Sequence, residues 1–213
     1  MDKGERAKAL LKGLRKLYPE AHCELDYSTP IELLVAVILS AQCTDVRVNK
    51  TTKALFKRYK AAADYAAADP LELEGIIRSC GFYRMKAKSI IETARLILGN
   101  FGGNVPDTME DLLKLRGVAR KTANVVLGEV YGNPSGVVVD THMKRLCWRF
   151  GLTEETDPVK VEHDLESCVP KKDWVFWSHA VIWHGRRVCK ALNPACDACA
   201  LRKDCPQRGI DAE

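Results

Sequence analysis

Leu112-Leu-Lys-Leu-Arg-Gly-Val-Ala-Arg-Lys-Thr-Ala-Asn-Val-Val-Leu127 reads as two short helices joined at Gly117-Val118-Ala119. Gly117 supplies the left-handed or closely approached backbone that so tight a turn needs. The first amides of the second helix have no internal acceptor and lie at its positive dipole end. Such a turn suits a nucleic-acid phosphate held without reading base sequence. The same pattern also describes an ordinary helical hairpin capped by glycine.

Two residues around this hairpin bear chemistry. Lys121 falls in the first turn of the second helix, where the dipole opposes an ammonium and the apolar Leu115, Val118 and Val125 exclude water. Both influences favour a neutral amine, the form that Schiff-base chemistry needs. A phosphate contact is the alternative role for a lysine in a basic helix. Asp140 follows Val137-Val138-Val139 and precedes a helical pattern, which is where an N-cap belongs. Brought near Lys121, its carboxylate would instead stabilise cationic character on a sugar and assist proton transfer.

Outward from the hairpin, the punctuation is helical almost throughout. Leu10, Leu11, Leu14, Leu17 and Tyr18 form one stripe of a first helix that stops before Pro19. Thr29-Pro30 opens a largely buried helix through Leu39, and a third runs from Asp45 to Tyr59. Further helices are expected over Leu71 to Cys80, Lys86 to Leu98, Met109 to Leu115 (capped by Thr108), Arg120 to Tyr131, Met143 to Phe150, Val159 to Val169 and Trp174 to Val188. Only Val137 to Val139 reads as extended, and Ala61 to Ala68 is merely alanine-rich.

The last helix leads into Cys189, Cys196, Cys199 and Cys205, spaced C-x6-C-x2-C-x5-C. A zinc ribbon joins two separated C-x2-C knuckles, whereas here one short pair has its outer thiols close by. Four thiolates in one tight loop suit an iron-sulfur cube, with a zinc site or a disulfide loop as the other readings. The remaining five of nine cysteines, Cys23, Cys43, Cys80, Cys147 and Cys168, read as small core residues. An odd cysteine count in this setting points to a reducing compartment, the cytoplasm.

A chain of 213 residues, 46% hydrophobic and 29% charged, can bury a genuine core in one domain or two small ones. Its longest apolar run, Ile31 to Ala41, is too short to span a bilayer and carries Glu32, so no membrane-spanning helix is expected. The net charge of +5 is unevenly placed, since Leu112 to Phe150 holds seven Lys or Arg against Glu129 and Asp140 while the remainder balances. A basic stretch around a candidate site points to a polyanion, although a solvated charged face has the same composition.

Taken together, Leu39-Ser-Ala-Gln-Cys-Thr-Asp45, Gly117-Val-Ala-Arg-Lys-Thr-Ala-Asn-Val-Val-Leu127, Val139-Asp-Thr-His142, His184-Gly-Arg186 and the four cysteines make the chain resemble the endonuclease III family of helix-hairpin-helix DNA glycosylases, from about Ile31 to Cys205. The resemblance implies an all-α, two-lobed molecule with a C-terminal [4Fe-4S] cluster loop held by Cys189, Cys196, Cys199 and Cys205. It implies a helical barrel over residues 22–133, a cluster lobe from residues 1–21 plus 134–213, and a DNA cleft between them.

It further implies a bifunctional glycosylase and abasic-site lyase, a monomer acting on double-stranded DNA with oxidised pyrimidines or abasic sites. Lys121 would attack C1′ of a flipped nucleotide, Asp140 would support the developing charge, and β-elimination from the imine would nick the strand. Gln42 matches a residue that enters the vacated stack, and Phe82 stands where leucine is a second wedge, although core packing would equally suit a phenylalanine. Arg116, Gly117, Val118, Ala119, Arg120 and Lys190 would contact DNA, with Asp45 and His142 in support. Arg202, Lys203 and Arg208 join Lys190 in the basic loop around the cluster. Two positions depart from the family pattern: Arg116 replaces proline and Ala119 replaces glycine, which bears on affinity more than on reaction type.

Two other functions fit parts of this pattern. A monofunctional mismatch glycosylase of the same fold would use activated water and lack the lysine at 121. A non-enzymatic DNA-binding or redox-sensing protein would be expected to dispense with Lys121 or Asp140; the chain keeps both.

Overall fold

The computed structural model describes residues 1–210. In chain order its helices are α1 (Lys3–Leu17), α2 (Pro30–Ser40), α3 (Asp45–Arg58), α4 (Ala62–Ala66), α5 (Pro70–Ile77), α6 (Tyr83–Phe101), α7 (Met109–Leu113), α8 (Arg120–Tyr131), α9 (Thr141–Arg149), α10 (Pro158–Cys168) and α11 (Trp174–Arg187). Among the described residues there is no β-strand, so Val137 to Val139 belongs to no sheet, its Val138 amide donating instead to Ser178 Oγ (3.1 Å), and no helix is long and apolar enough to cross a membrane. The chain packs as two compact units, Glu24–Asn133 and, separately, Met1–Cys23 with the chain from Pro134 onward.

Within Glu24–Asn133, α2 is the central element. Every residue from Ile31 to Leu39 is buried, and a helix apolar on all sides is stable only when enclosed. Helices α3, α6 and α8 pack on it, α5 lies against α3 and α6, and α4 lies along α6. Its start is set locally: Thr29 accepts from the Glu32 amide, and Glu32 reaches back to the amides of Ser28 (2.7 Å) and Thr29 (3.3 Å). That reciprocal box gives the buried Glu32 carboxylate donors at the depth where an unpartnered charge would be most costly.

Helix α4 lies in the stretch that composition marks only as alanine-rich. Five residues are too few to show a period, and short helices are held by tertiary contact. Here Tyr59 and Tyr65 stack with ring centroids 5.0 Å apart, and Asp64 accepts from the amides of Lys60 and Ala61 at 2.7 and 2.9 Å. Helix α5 ends at Ile77, and the expected continuation to Cys80 is a 3-10 turn, Arg78–Cys80. Beyond it Gly81 and Phe82 both take positive φ, +67° and +45°, and α6 resumes at Tyr83, three residues before the expected start.

In the other unit, α1 packs on α10 and α11, and α9 on α11. Leu10, Leu14, Tyr18, Leu146, Phe150, Leu165 and Trp177 meet in its core. Leu17 departs from the expected stripe and is 38% exposed, because the helix ends there and the chain turns away through the cap residue Tyr18. Of the five cysteines expected in the core, Cys80 and Cys147 are buried. Cys23, Cys43 and Cys168 are only half-buried: Cys23 lies in the connection between α1 and α2, Cys43 between α2 and α3, and Cys168 at the end of α10.

Candidate active site

In Glu24–Asn133 the hairpin consists of α7, the turn through Gly117 and α8, with α7 packed on α8. Gly117 has φ +77°, and a Cβ there would come within 3.1 Å of Ser89 Cβ, so the turn demands glycine both for its backbone and for its neighbour. The turn is anchored behind: Thr93 donates to the Arg116 carbonyl (2.8 Å), and the Val118 amide to the Leu115 carbonyl (3.2 Å). Leu115 and Val118 are buried, whereas Gly117 and Ala119 lie on the surface. Ala119, in the N-cap position, offers no side-chain acceptor, which leaves this helix start without the capping that Asp or Thr provides at α1, α2, α3, α5, α7, α9 and α10.

Lys121 is exposed on the first turn of α8. The shielding expected from Leu115, Val118 and Val125 is absent, because the first two turn inward to the core and Val125 is itself half-buried. Arg116 is committed to an ion pair with Glu92 at 2.8 Å, so its charge is not simply open to a phosphate.

The Leu39-to-Asp45 motif runs off the end of α2. Gln42 is exposed with φ +53°, and Asp45, half-buried, opens α3 behind the Thr44 cap. Phe82 is 62% exposed, which removes the core reading of this residue. Two exposed non-glycine residues in the left-handed region are unusual enough to call for a reason. Lys86, to which the sequence motifs assign no role, is buried and donates to the carbonyls of Leu39, Ala41 and Cys80. Its one signal in the sequence is a lysine in register with the buried stripe Ile90, Ala94 and Ile97.

In the other unit, Asp140 is half-buried and caps α9, its Oδ1 accepting from the Met143 amide at 2.8 Å. Capping thus uses one carboxylate oxygen. His142 is packed against Gly185, where a Cβ would come within 3.0 Å of its Nδ1; this explains the glycine of His184-Gly-Arg186. Burial lowers the His142 pKa, Asp140 opposes that, and Arg145 and Arg186 add to it. Arg145 spans from His142 to the carbonyls of Gly185 (3.0 Å) and Cys189 (2.9 Å).

Cys189, Cys196, Cys199 and Cys205 all line one cavity, together with Phe150, His184 and Val188. Burial raises the thiol pKa values of Cys196, Cys199 and Cys205, the last to about 11. Thiols so placed ionise readily only beside a cation. Arg149 is buried at the edge, with its guanidinium 3.3 Å from Cys189 Sγ and bonded to the Lys190 and Ala191 carbonyls. The Gln207 amide points at Cys205 Sγ, and His184, its pKa lowered to about 4 by burial, bridges Tyr18 and Cys199. Among the described residues no three His, Cys, Asp or Glu side chains are arranged to hold a metal ion. Of the basic residues expected to face outward here, Lys190 is exposed, but Arg202 pairs with Asp197 (2.6 Å) and Arg208 with Glu154.

Residues 35–171 match the family described as "HhH-GPD superfamily base excision DNA repair protein". Endonuclease III of Synechocystis sp. is 54% identical over 204 residues, covering 96% of this chain and 93% of its own. This chain belongs to the endonuclease III family. A solved non-covalent endonuclease III–DNA complex superposes with a TM-score of 0.92 at 42% identity, covering 97% of this chain and 96% of that one. A trapped endonuclease III–DNA covalent intermediate matches equally well, with a TM-score of 0.92, 42% identity and 97% of both chains. The all-helical fold is therefore that of endonuclease III.

The hairpin turn yields a comparison within one chain. Gly117 and Gly132 both have positive φ, but of the two only Gly117 has a neighbour within 4 Å of where a methyl group would stand. Gly117→Ala should cost the left-handed penalty of about 1–2 kcal/mol plus the displacement of Ser89, and Gly132→Ala the backbone penalty alone. Thermal melts of the two variants check this, with Gly117→Ala expected to melt at the lower temperature.

Proposed function

We propose that this chain excises oxidised pyrimidines, such as thymine glycol and 5-hydroxycytosine, from double-stranded DNA and cleaves the abasic site that results. The observation that carries the reading is the likeness, across nearly the whole chain, to an endonuclease III trapped as a covalent DNA intermediate, together with an exposed lysine at position 121.

The turn at Gly117, Val118 and Ala119 holds a backbone phosphate on the uncapped start of α8, aided by Arg120 and by Arg116 once it exchanges its exposed pairing with Glu92 for the phosphate. Gln42 and Phe82 enter the stack as the damaged nucleotide leaves it; a base within the duplex hides C1′, and lost stacking has to be offset. Lys121 Nζ, having given up a proton, attacks C1′; the C1′–N bond breaks and the base departs with the electron pair and takes up a proton. Opening of the sugar ring leaves an iminium between Nζ and C1′. Loss of a proton from C2′ then expels the 3′ phosphate by β-elimination, and water releases the lysine. Asp140 offsets positive charge on the sugar and moves the proton. Asp45 and His142, in the first turns of α3 and α9, support the segments that lead into those helices. Exposure of Lys121 in the free protein fits this scheme, because DNA itself can supply the dry surroundings that favour the neutral amine.

Cys189, Cys196, Cys199 and Cys205 are proposed as the thiolate ligands of a [4Fe-4S] cluster. Four cysteines around one cavity support a shared metal centre, and a single short C-x2-C pair with its outer cysteines close by favours a polynuclear centre over a zinc ribbon. A cluster held by these four residues would supply the positive charge that ionises the thiols and would fix the fold of the loop that carries Lys190. The protein acts as a monomer on chromosomal DNA, in the cytoplasm of a prokaryotic cell.

Borohydride reduction during reaction with a thymine-glycol duplex should trap a covalent protein–DNA adduct that Lys121→Ala abolishes. Base release without an adduct would indicate water as nucleophile and overturn the assignment. Asp140→Asn separates the two duties of that residue, because asparagine caps a helix about as well as aspartate. Its melting temperature should be unchanged while excision slows by roughly 10²–10⁴-fold; equal activity would leave Asp140 as a cap alone. The purified protein should be brown, with broad visible absorbance and equal iron and acid-labile sulfide, whereas stoichiometric zinc without iron would exclude the cluster.

A further inference from the structure

The buried lysine of α6 has no part in the chemistry above, and its surroundings are unusual. An ammonium carries three N–H donors and no acceptor. Lys86 directs all three at main-chain carbonyls: Leu39 at 2.8 Å, Ala41 at 2.8 Å and Cys80 at 2.7 Å. Leu39 and Ala41 lie at the C-terminal end of α2, and Cys80 closes the 3-10 turn before α6. These are the negative ends of their helices, where a cation is favoured. The residue is only 6% exposed; burial lowers the pKa of its amine, and the neighbouring Cys43 and Cys80 thiols oppose that shift.

The three carbonyls belong to the bases of two loops. Ala41 immediately precedes Gln42, and Cys80 lies two residues before Phe82. Gln42, Gly81 and Phe82 all hold positive φ, and both side chains at 42 and 82 are exposed. Non-glycine residues stay in that region only when their surroundings over-determine it. A single cation bonded to both loop bases does so. Methionine at 86 would continue the apolar stripe of Ile90 and Ala94 at no cost in burial, so packing alone does not call for a charge here.

We propose that Lys86 is a positioning residue whose ammonium ties the loop carrying Gln42 to the loop carrying Phe82, presenting both side chains to the duplex at a fixed spacing. The proposal rests on the reading of Gln42 and Phe82 as the groups that fill the stack around a flipped nucleotide. Without the tie each loop is still anchored by its own helix, but the distance between the two tips is no longer set. The reaction at C1′ does not involve Lys86, so the consequence falls on duplex substrates and spares those with no stack to fill.

The test compares wild type with Lys86→Met in two single-turnover assays: base release from a thymine-glycol duplex, and β-elimination at an abasic site in a single-stranded oligonucleotide. Duplex excision is expected to fall by up to roughly 10²-fold, the effect of a displacement of about 1 Å, with single-strand cleavage unchanged. In a Gln42→Ala/Phe82→Ala background the further effect of Lys86→Met should shrink to within about twofold. Should Lys86→Met fail to fold, as judged by its thermal melt, Lys86→Gln retains two N–H donors and replaces it in the same cycle. Parallel loss of both activities, an undiminished effect in the double-alanine background, or full duplex activity in the variant would each overturn the role. A wild-type protein that releases no base and forms no imine would overturn the underlying function, and this role with it.

Discussion

Helix α2 has no wet side. From Ile31 to Leu39 every residue is buried, and the remainder of Glu24–Asn133 follows from the need to enclose it. Enclosure is supplied by α3, α6 and α8, and the two ends of α2 then become problems of polar accounting at low dielectric. At the first end the capping box satisfies the amides of Ser28 and Thr29 and the carboxylate of Glu32 together. At the other end the carbonyls of Leu39 and Ala41 receive the ammonium of Lys86. The chain emerges from that second end directly into Gln42, so a requirement of core burial also sets where an exposed side chain begins.

The hairpin illustrates a different economy. Its turn is held from behind by Thr93 and from the side by Ser89, and the residues that would have shielded Lys121 are turned into the core. What remains at the surface is backbone, an uncapped helix start and a lysine. A surface built of main-chain amides can accept any phosphate, whatever the neighbouring base, which suits an enzyme that must examine DNA without preference for sequence. Arg116, at the entry to the turn, pairs with Glu92 of α6.

Around the four cysteines, the protein has surrounded sulfur with donors. Arg149, the Gln207 amide and His184 approach Cys189, Cys205 and Cys199 respectively. Hydrogen bonds to sulfur and exclusion of water are the means by which a protein tunes an iron-sulfur centre. Arg145 ties the same region to His142, two residues from the Asp140 cap, so cysteine loop and α9 are held as a single piece. The order of the cysteine loop and the placement of the Asp140 cap are thus linked through one guanidinium.

Local features of this protein are legible in the chain itself. Thr29, Thr108 and Asp140 mark helix starts because capping is a bond within three residues, and Arg120–Tyr131 is readable to the residue because a cap position, a period and a glycine bound it. The cysteine spacing likewise predicts a shared site, and all four thiols do line one cavity. What is not legible is whatever depends on partners distant in sequence. The five residues of α4 are helical because Tyr65 stacks on Tyr59 and the segment lies on α6. Arg202 and Arg208 look like free surface charge until Asp197 and Glu154 are seen beside them. Lys86 looks like any helical lysine until carbonyls 39, 41 and 80 converge on it. Periods and caps are short-range and leave a written trace, whereas burial of a charge and the pairing of ions are properties of the folded neighbourhood, which no window of sequence contains.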